Sequence, residues 1–274
     1  QLAEWIVDGE PTIDMMGVDP RRFGEYATKS FLIKKNEEAY ANVFTTHYPD
    51  EEREEGRPLR QAPCYDRLKS HGAVFGQKFG WERANWFAPK GVEQKDDWSF
   101  RRSKWFEHVG NECKNVQKNI GLLDMTAFAK CRISGPGAES FLDNLIANKL
   151  PKKIGRVNLC HALNTSGGVL SEYTIAKEKN DSFYVVSAGA FQRLDHDWIH
   201  KWMPKDRSVT FENLTNSMGV LVIAGPKARD LMQKISTSDF SNEKFPWLSA
   251  QKIDVGLAPS IAMRMNFVGE LGWE

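Results

Sequence analysis

Apolar residues recur at helical spacing in several stretches of the chain, and in others they alternate with polar ones. Residues 2–7 pattern as the last turns of an amphipathic helix, which Asp8-Gly9-Glu10-Pro11 ends by placing Gly and then Pro after the last helical residue. A second helical stretch runs over residues 27–44. Lys130-Cys131-Arg132-Ile133-Ser134 reads as a short strand and Gly135-Pro136 as a turn; residues 138–149 then place Ala138, Phe141, Leu142, Leu145 and Ile146 on one helical face. The order repeats further on: a strand at 219–223, a turn at Gly225-Pro226, and a helix over 228–235 with Ala228, Leu231, Met232 and Ile235 on one face. The two Gly-Pro turns lie too far apart for a solenoid, so the pattern predicts a duplicated strand-turn-helix unit. Between the copies a meander is expected, with strands at 169–177 and 183–187. Gly167-Gly168 supplies the positive φ of a tight hairpin. A helix over 191–202, striped by Leu194, Trp198, Ile199 and Trp202, follows, and residues 261–267 alternate in part.

The first third of the chain has a different texture. Residues 50–57 form a charged, solvated run. Residues 72–87 carry a glycine every four positions beside aromatics, which reads as a glycine-rich loop over a domain seam, with a ligand wall as the alternative. Residues 89–97 are polar and unpatterned and form the candidate linker. Beyond them the strands and helices define an α+β domain with antiparallel strands, beginning near residue 98.

Composition narrows the function. With 274 residues the chain can bury a core without disulfides. Its 37 basic and 36 acidic residues leave a net charge of +1, so no overall field points to nucleic acid or to an anionic membrane, and small, nearly neutral partners fit best. Cys64, Cys113, Cys131 and Cys160 form no C-x-x-C pair and suggest a reducing compartment. No apolar run reaches the length of a spanning helix, and the acidic start is not a signal segment. The chain begins on Gln1 and stops at Glu274 directly after an apolar stretch; both ends read as cuts.

No G-x-G-x-x-G and no phosphate loop occurs, so no dinucleotide or triphosphate cradle is expected in this segment. His196 and His200 stand four apart on a predicted helix, but without the H-E-x-x-H glutamate and beside Asp195 and Asp197 they read as surface histidines; no metal site is expected. Glu172, just after the Gly-Gly turn, and Glu274, closing Gly269-Glu270-Leu271-Gly272-Trp273-Glu274, are the two carboxylates of interest. Each is either decoration at a sheet rim or a pocket acid able to accept paired N–H donors or a proton.

Gly56-Arg57-Pro58-Leu59-Arg60, Gly80-Trp81-Glu82-Arg83, Asn85-Trp86-Phe87, Phe100-Arg101-Arg102-Ser103 and Trp105-Phe106-Glu107 resemble the dimethylglycine and sarcosine dehydrogenase family. Ile133-Ser134-Gly135-Pro136, Asn164-Thr165-Ser166-Gly167-Gly168, Ala224-Gly225-Pro226 and the segment ending at Glu274 resemble the folate-binding domain shared with the glycine-cleavage aminomethyltransferase, or T-protein. The resemblance implies an enzyme in which a flavin (FAD) domain oxidises an N-methylated glycine and a second domain binds tetrahydrofolate, which captures the one-carbon unit. It assigns residues 1–88 to the tail of the FAD-dependent oxidoreductase domain, 89–97 to a linker, and 98–274 to the first part of an aminomethyltransferase-like folate domain. It also implies a cytoplasmic enzyme in a bacterium or a mitochondrial-matrix enzyme in a eukaryote. The rival readings are a sarcosine dehydrogenase and a folate-binding regulatory module without chemistry.

Carried over residue by residue, the family's folate-site acid falls on Glu172, where the T-protein has Asp, and its pterin-holding Glu falls on Glu274. The family's Tyr seven positions earlier is Phe267 here, which keeps a stacking face and loses the hydroxyl. Its strand Val and Asn beside the pterin fall on Val185 and Ser187, and Phe128 stands where the T-protein has Met.

Overall fold

The computed structural model describes residues 1–265 and 269–274. Helix α1 (Leu2–Asp8) ends where Gly9 takes φ 79°, as the Gly-then-Pro signal requires. A 3-10 turn (Pro20–Phe23) is capped by Asp19, and helix α2 (Lys29–Ala41) by the Thr28 hydroxyl. Helix α2 is shorter at both ends than its polar-apolar pattern predicts, and it buries only Phe31.

The stretch read as a glycine-rich loop is a β-hairpin. After α3 (Tyr65–Ser70), strands β1 (Ala73–Lys78) and β2 (Trp81–Phe87) pair antiparallel, with Lys78 opposite Trp81. Phe79 and Gly80 form the two-residue turn at φ 51° and 80°, the left-handed pair that matches strand twist. The turn was hidden because Phe79, not Asn or Asp, holds the first left-handed position. Trp86 is buried on the hairpin's inner face with Val74 and Ala88, and Trp105 and Val109 of helix α4 (Trp105–Lys118) pack over it. Residues 89–97 stay close to the hairpin: the Trp86 indole N–H donates to Asp96 at 2.7 Å, and Gln94 to the Lys69 carbonyl at 2.9 Å.

The remaining strands and helices follow in chain order: β3 (Gly121–Asp124), β4 (Ala129–Ser134), α5 (Ala138–Leu145), β5 (Val157–Leu163), β6 (Val169–Lys179), β7 (Ser182–Ser187), α6 (Gln192–Trp202), β8 (Thr210–Asn213), β9 (Leu221–Ala224), α7 (Ala228–Ile235), β10 (Ser249–Val255), β11 (Ala258–Arg264) and β12 (Gly272–Trp273). A five-stranded sheet, ordered β5-β6-β7-β4-β8 and antiparallel throughout, forms the centre. A three-stranded sheet, β12-β9-β3, and the β10–β11 hairpin complete it. The architecture is therefore the α+β, antiparallel one the pattern predicts.

Alternation gives the central sheet two buried faces. Cys131, Ile133, Cys160, Tyr173, Ile175, Phe183 and Val185 meet Phe141, Leu142 and Leu145 of α5 and Ile199 of α6. Val157, Ala176, Tyr184 and Val186 form the opposite face, under Met263, Leu214 and the partly buried Phe128, Met218 and Ile261. Burial on both faces is why these strands lack a clean polar alternation.

The duplicated unit is present. In each copy a strand runs into a glycine at φ 115° (Gly135) or 128° (Gly225), and the first helical N–H returns to that glycine's carbonyl: Ala138 at 2.9 Å, Ala228 at 3.0 Å. Each proline occupies the second position of this turn, where its fixed φ fits. Helix α5 stops at Leu145 instead of 149, because Ile146 turns extended and bridges to Ala162. On α6 the apolar stripe is displaced: Asp195 and Ile199 are the buried residues, and Trp202 is half exposed. His196 and His200 both set their rings edge-on to Phe211, at 4.9 and 4.6 Å.

Candidate functional site

Strand parity decides which side chains can share a site. Tyr184 and Val186 point to the face of the central sheet opposite the helices, and in the β6–β7 register Ala176 stands beside Tyr184. Glu172 lies four residues along β6 from Ala176, on the same face, roughly 13 Å away at the usual strand rise. Near Ala176 the face is covered by β11 and residues 214–218; at the Glu172 end it is open, with Leu159 and Glu172 about half exposed.

Glu172 is held from the neighbouring strand. His161 of β5 is its cross-strand partner, and His161 Nε2 lies 3.1 Å from Glu172 Oε2. On its other side the His161 ring meets Asn148, whose Oδ1 is 3.2 Å from Nδ1 and accepts the His161 backbone N–H at 2.8 Å. The hairpin leading into β6 is pinned by Asn164, whose Oδ1 accepts from Ser166 N and Gly168 N at 3.1 and 2.7 Å, with Gly167 at φ 85°.

Glu274 reaches the same face from its other end. Its backbone pairs both ways with Met263, at 2.8 and 2.9 Å, which fixes it beside β11. Burial raises its carboxyl to about 6. Among the described residues no donor or cation reaches that carboxylate. Burial pushes the Tyr184 hydroxyl above its ordinary value, with the Glu178 and Glu274 charges adding to it, and Tyr184 shares its face of the sheet with Met263, the backbone partner of Glu274. Phe128 packs into the same cluster.

Val185 and Ser187 are not part of this surface. Val185 is buried toward the helices, and the Ser187 hydroxyl donates to Asp195 Oδ2 at 2.5 Å, where Tyr173 also approaches Asp195 at 3.5 Å. Their side chains lie on the face of β7 away from Glu274, and because neighbouring strand residues point to opposite faces, Tyr184 and Val186 are the β7 residues on the Glu274 face. Phe267 lies outside the described residues.

Lys130 is a component the sequence reading passed over. Its side chain is fully buried, and Nζ donates to the carbonyls of Thr126 and Phe128 at 2.7 and 2.8 Å, tying down the turn that carries Phe128. Burial, with the nearby Arg60 charge, lowers it to about 8, opposed by Asp124. The available signal was a lysine flanked by Ala129 and Cys131 at the start of a strand that also carries Arg132.

The GCVT N-terminal domain model matches residues 64–274, and the FAD dependent oxidoreductase central domain model matches residues 8–62. The chain belongs to the GCVT N-terminal domain family, with a segment of the oxidoreductase central domain before it. It is 36% identical over its whole length to the mitochondrial dimethylglycine dehydrogenase of Homo sapiens, of which it covers 32%. Over 99% of its length it is 31% identical to the mitochondrial pyruvate dehydrogenase phosphatase regulatory subunit of Mus musculus, again covering 32%. The chain thus spans about a third of the length of these curated relatives. In fold it matches the crystal structure of the glycine cleavage system aminomethyltransferase T from Bartonella henselae, with a TM-score of 0.63 and 19% identity, over 78% of this chain and 52% of that one.

Proposed function

We propose that this chain is the tetrahydrofolate-binding part of a flavin-dependent demethylase of N-methylated glycine, of the dimethylglycine dehydrogenase type. In this reading residues 1–88 are the tail of the flavin-dependent part, 89–97 connect, and 98–274 begin the folate domain. The observation that carries the proposal is Glu274: a carboxylate desolvated by burial, reached by no donor among the described residues, and paired through its backbone with Met263 on the sheet face that also bears Tyr184 and Glu172. A flat heterocycle with adjacent N–H groups fits it, since the carboxylate accepts both and the apolar neighbours cover the ring. Tetrahydrofolate supplies the amine nitrogens that take up the one-carbon unit. Glu172, at the open end of the face, takes the proton that this uptake releases. FAD would be held by the part of the protein upstream of this chain.

The test uses the full-length parent. Titration calorimetry should show Glu274→Ala weakening tetrahydrofolate binding by on the order of 2 to 5 kcal/mol, as for other truncated charge-assisted contacts. Glu172→Gln should leave amine oxidation intact while formaldehyde accumulates in place of methylenetetrahydrofolate. Unchanged folate affinity in Glu274→Ala would overturn the site. A parent that binds folate and neither oxidises amines nor transfers the carbon unit would favour a regulatory module, a reading to which the similarity to a phosphatase regulatory subunit lends support.

A further inference from the structure

We infer that His161 is the positioning residue of Glu172 and the outlet for its proton; the inference rests on the reading of Glu172 as the acid at the folate site. The His161 backbone N–H can only donate, so the Asn148 atom it meets at 2.8 Å is the oxygen. That same oxygen lies 3.2 Å from His161 Nδ1, and an amide oxygen only accepts. Nδ1 therefore carries a hydrogen, and the ring exchanges its proton at Nε2.

Nε2 is the atom that faces Glu172 Oε2 at 3.1 Å. Two lone pairs at that distance repel, so one proton resides between them, on the imidazole or on the carboxyl. A cross-strand ion pair this exposed contributes little to stability. The double tie to Asn148 is more than such a pair needs, and its effect is to fix the ring's orientation and tautomer. Glu172 Oε1 has no partner among the described residues and is left for a ligand, and the His161 ring keeps about a third of its surface in water.

The proton balance is simple. When a bound amine loses its proton, the N–H bond breaks and an O–H bond forms at Glu172 Oε1. The pair then holds two protons in place of one. The imidazolium then gives its Nε2 proton to water, and as the carboxyl turns its new O–H toward Nε2 the pair again holds the single shared proton it began with. No oxidation state changes.

Two measurements in the full-length enzyme test this. With ¹⁵N-labelled histidine and His161→Gln for assignment, the His161 Nδ1 resonance of the folate-free protein should be that of a protonated ring nitrogen, and Asn148→Leu should remove this preference. An unprotonated Nδ1 in the parent would overturn the inference without reference to activity. In kinetics, His161→Gln, which keeps a donor toward Glu172 and cannot carry a proton, should slow carbon transfer on the order of tenfold, a fraction of what a directly acting acid or base contributes. Folate affinity and amine oxidation should stay at parent levels, and added imidazole should restore transfer in His161→Ala. If Glu172→Gln slows transfer while both His161 variants run at the parent rate, the inference fails and the proposed function stands; if Glu172→Gln is also without effect, both fail.

Discussion

Two acids in this domain are raised to about 6 by burial, and their surroundings separate their roles. Asp195 is surrounded by hydroxyl donors, Ser187 at 2.5 Å and Tyr173 at 3.5 Å, so its ionised form is satisfied within the protein and it joins α6 to the sheet. Glu274 has no such donors among the described residues, and in the proposed function a bound ligand supplies them. An acid whose folded pKa is raised is neutral at lower pH than its new value, and a ligand offering N–H donors favours the carboxylate. Affinity for tetrahydrofolate should therefore rise as pH increases through about 6 and level off above it, with proton release on binding below that point. Calorimetry over about pH 5 to 8 measures this; Glu274→Gln should flatten the profile, and a wild-type profile already flat would contradict it.

At the scale of elements, the repeated strand-turn-helix unit depends on two glycines for the same physical reason. A Cβ on Gly135 would stand 2.4 Å from the Ser208 carbonyl oxygen, and one on Gly225 would stand 2.5 Å from that of Asn119, with φ left-handed at both. Gly135→Ala and Gly225→Ala should each lower unfolding free energy by about 2 to 3 kcal/mol, since backbone strain and a clash with fixed main chain add. Gly110, inside α4 with nothing near its would-be Cβ, should respond oppositely: Gly110→Ala should stabilise by up to about 1 kcal/mol. Denaturant unfolding of the three variants is the check. This repeat was readable in the sequence because glycine, proline and one apolar helical face are local signals. The β1–β2 hairpin was not, since Phe79 replaces the usual turn residue and only packing against α4 and Arg60 makes it necessary.

At the scale of the molecule, residues 1–62 are fastened to residues 64–274 largely by polar contacts, the buried Arg57–Glu82 pair at 2.6 Å among them. Thr165 donates to Glu10 at 2.7 Å, Arg21 pairs with Asp197 at 3.5 Å, and Arg60 stacks over Trp81 at 4.1 Å while donating to Asn216 at 2.8 Å. Burial lowers Arg60 to about 10, and it has no carboxylate partner among the described residues, so stacking and the Asn216 contact hold it. Arg60→Ala should remove about 1 to 2 kcal/mol of attachment, the scale of a desolvated cation–π contact, and speed limited proteolysis within residues 1–60. Cleavage at the parent rate would show that the other contacts suffice.

The sequence alone determined the α+β class, the duplicated unit and the Gly-Gly hairpin, and it singled out Glu172 and Glu274 as candidate acids, because periodicity, turn chemistry and motif order are carried by neighbouring residues. Tertiary structure decided which side of each strand meets which layer. Four consecutive buried residues, Phe183, Tyr184, Val185 and Val186, give no alternation to read, so only the helices on one side and β11 on the other assign Tyr184 and Val186 to the Glu274 surface. The His161–Glu172–Asn148 arrangement is likewise a product of strand register. His161 and Asn148 carry no signal in the sequence and join Glu172 only when β5 pairs with β6, since cross-strand contact depends on pairing and not on spacing along the chain.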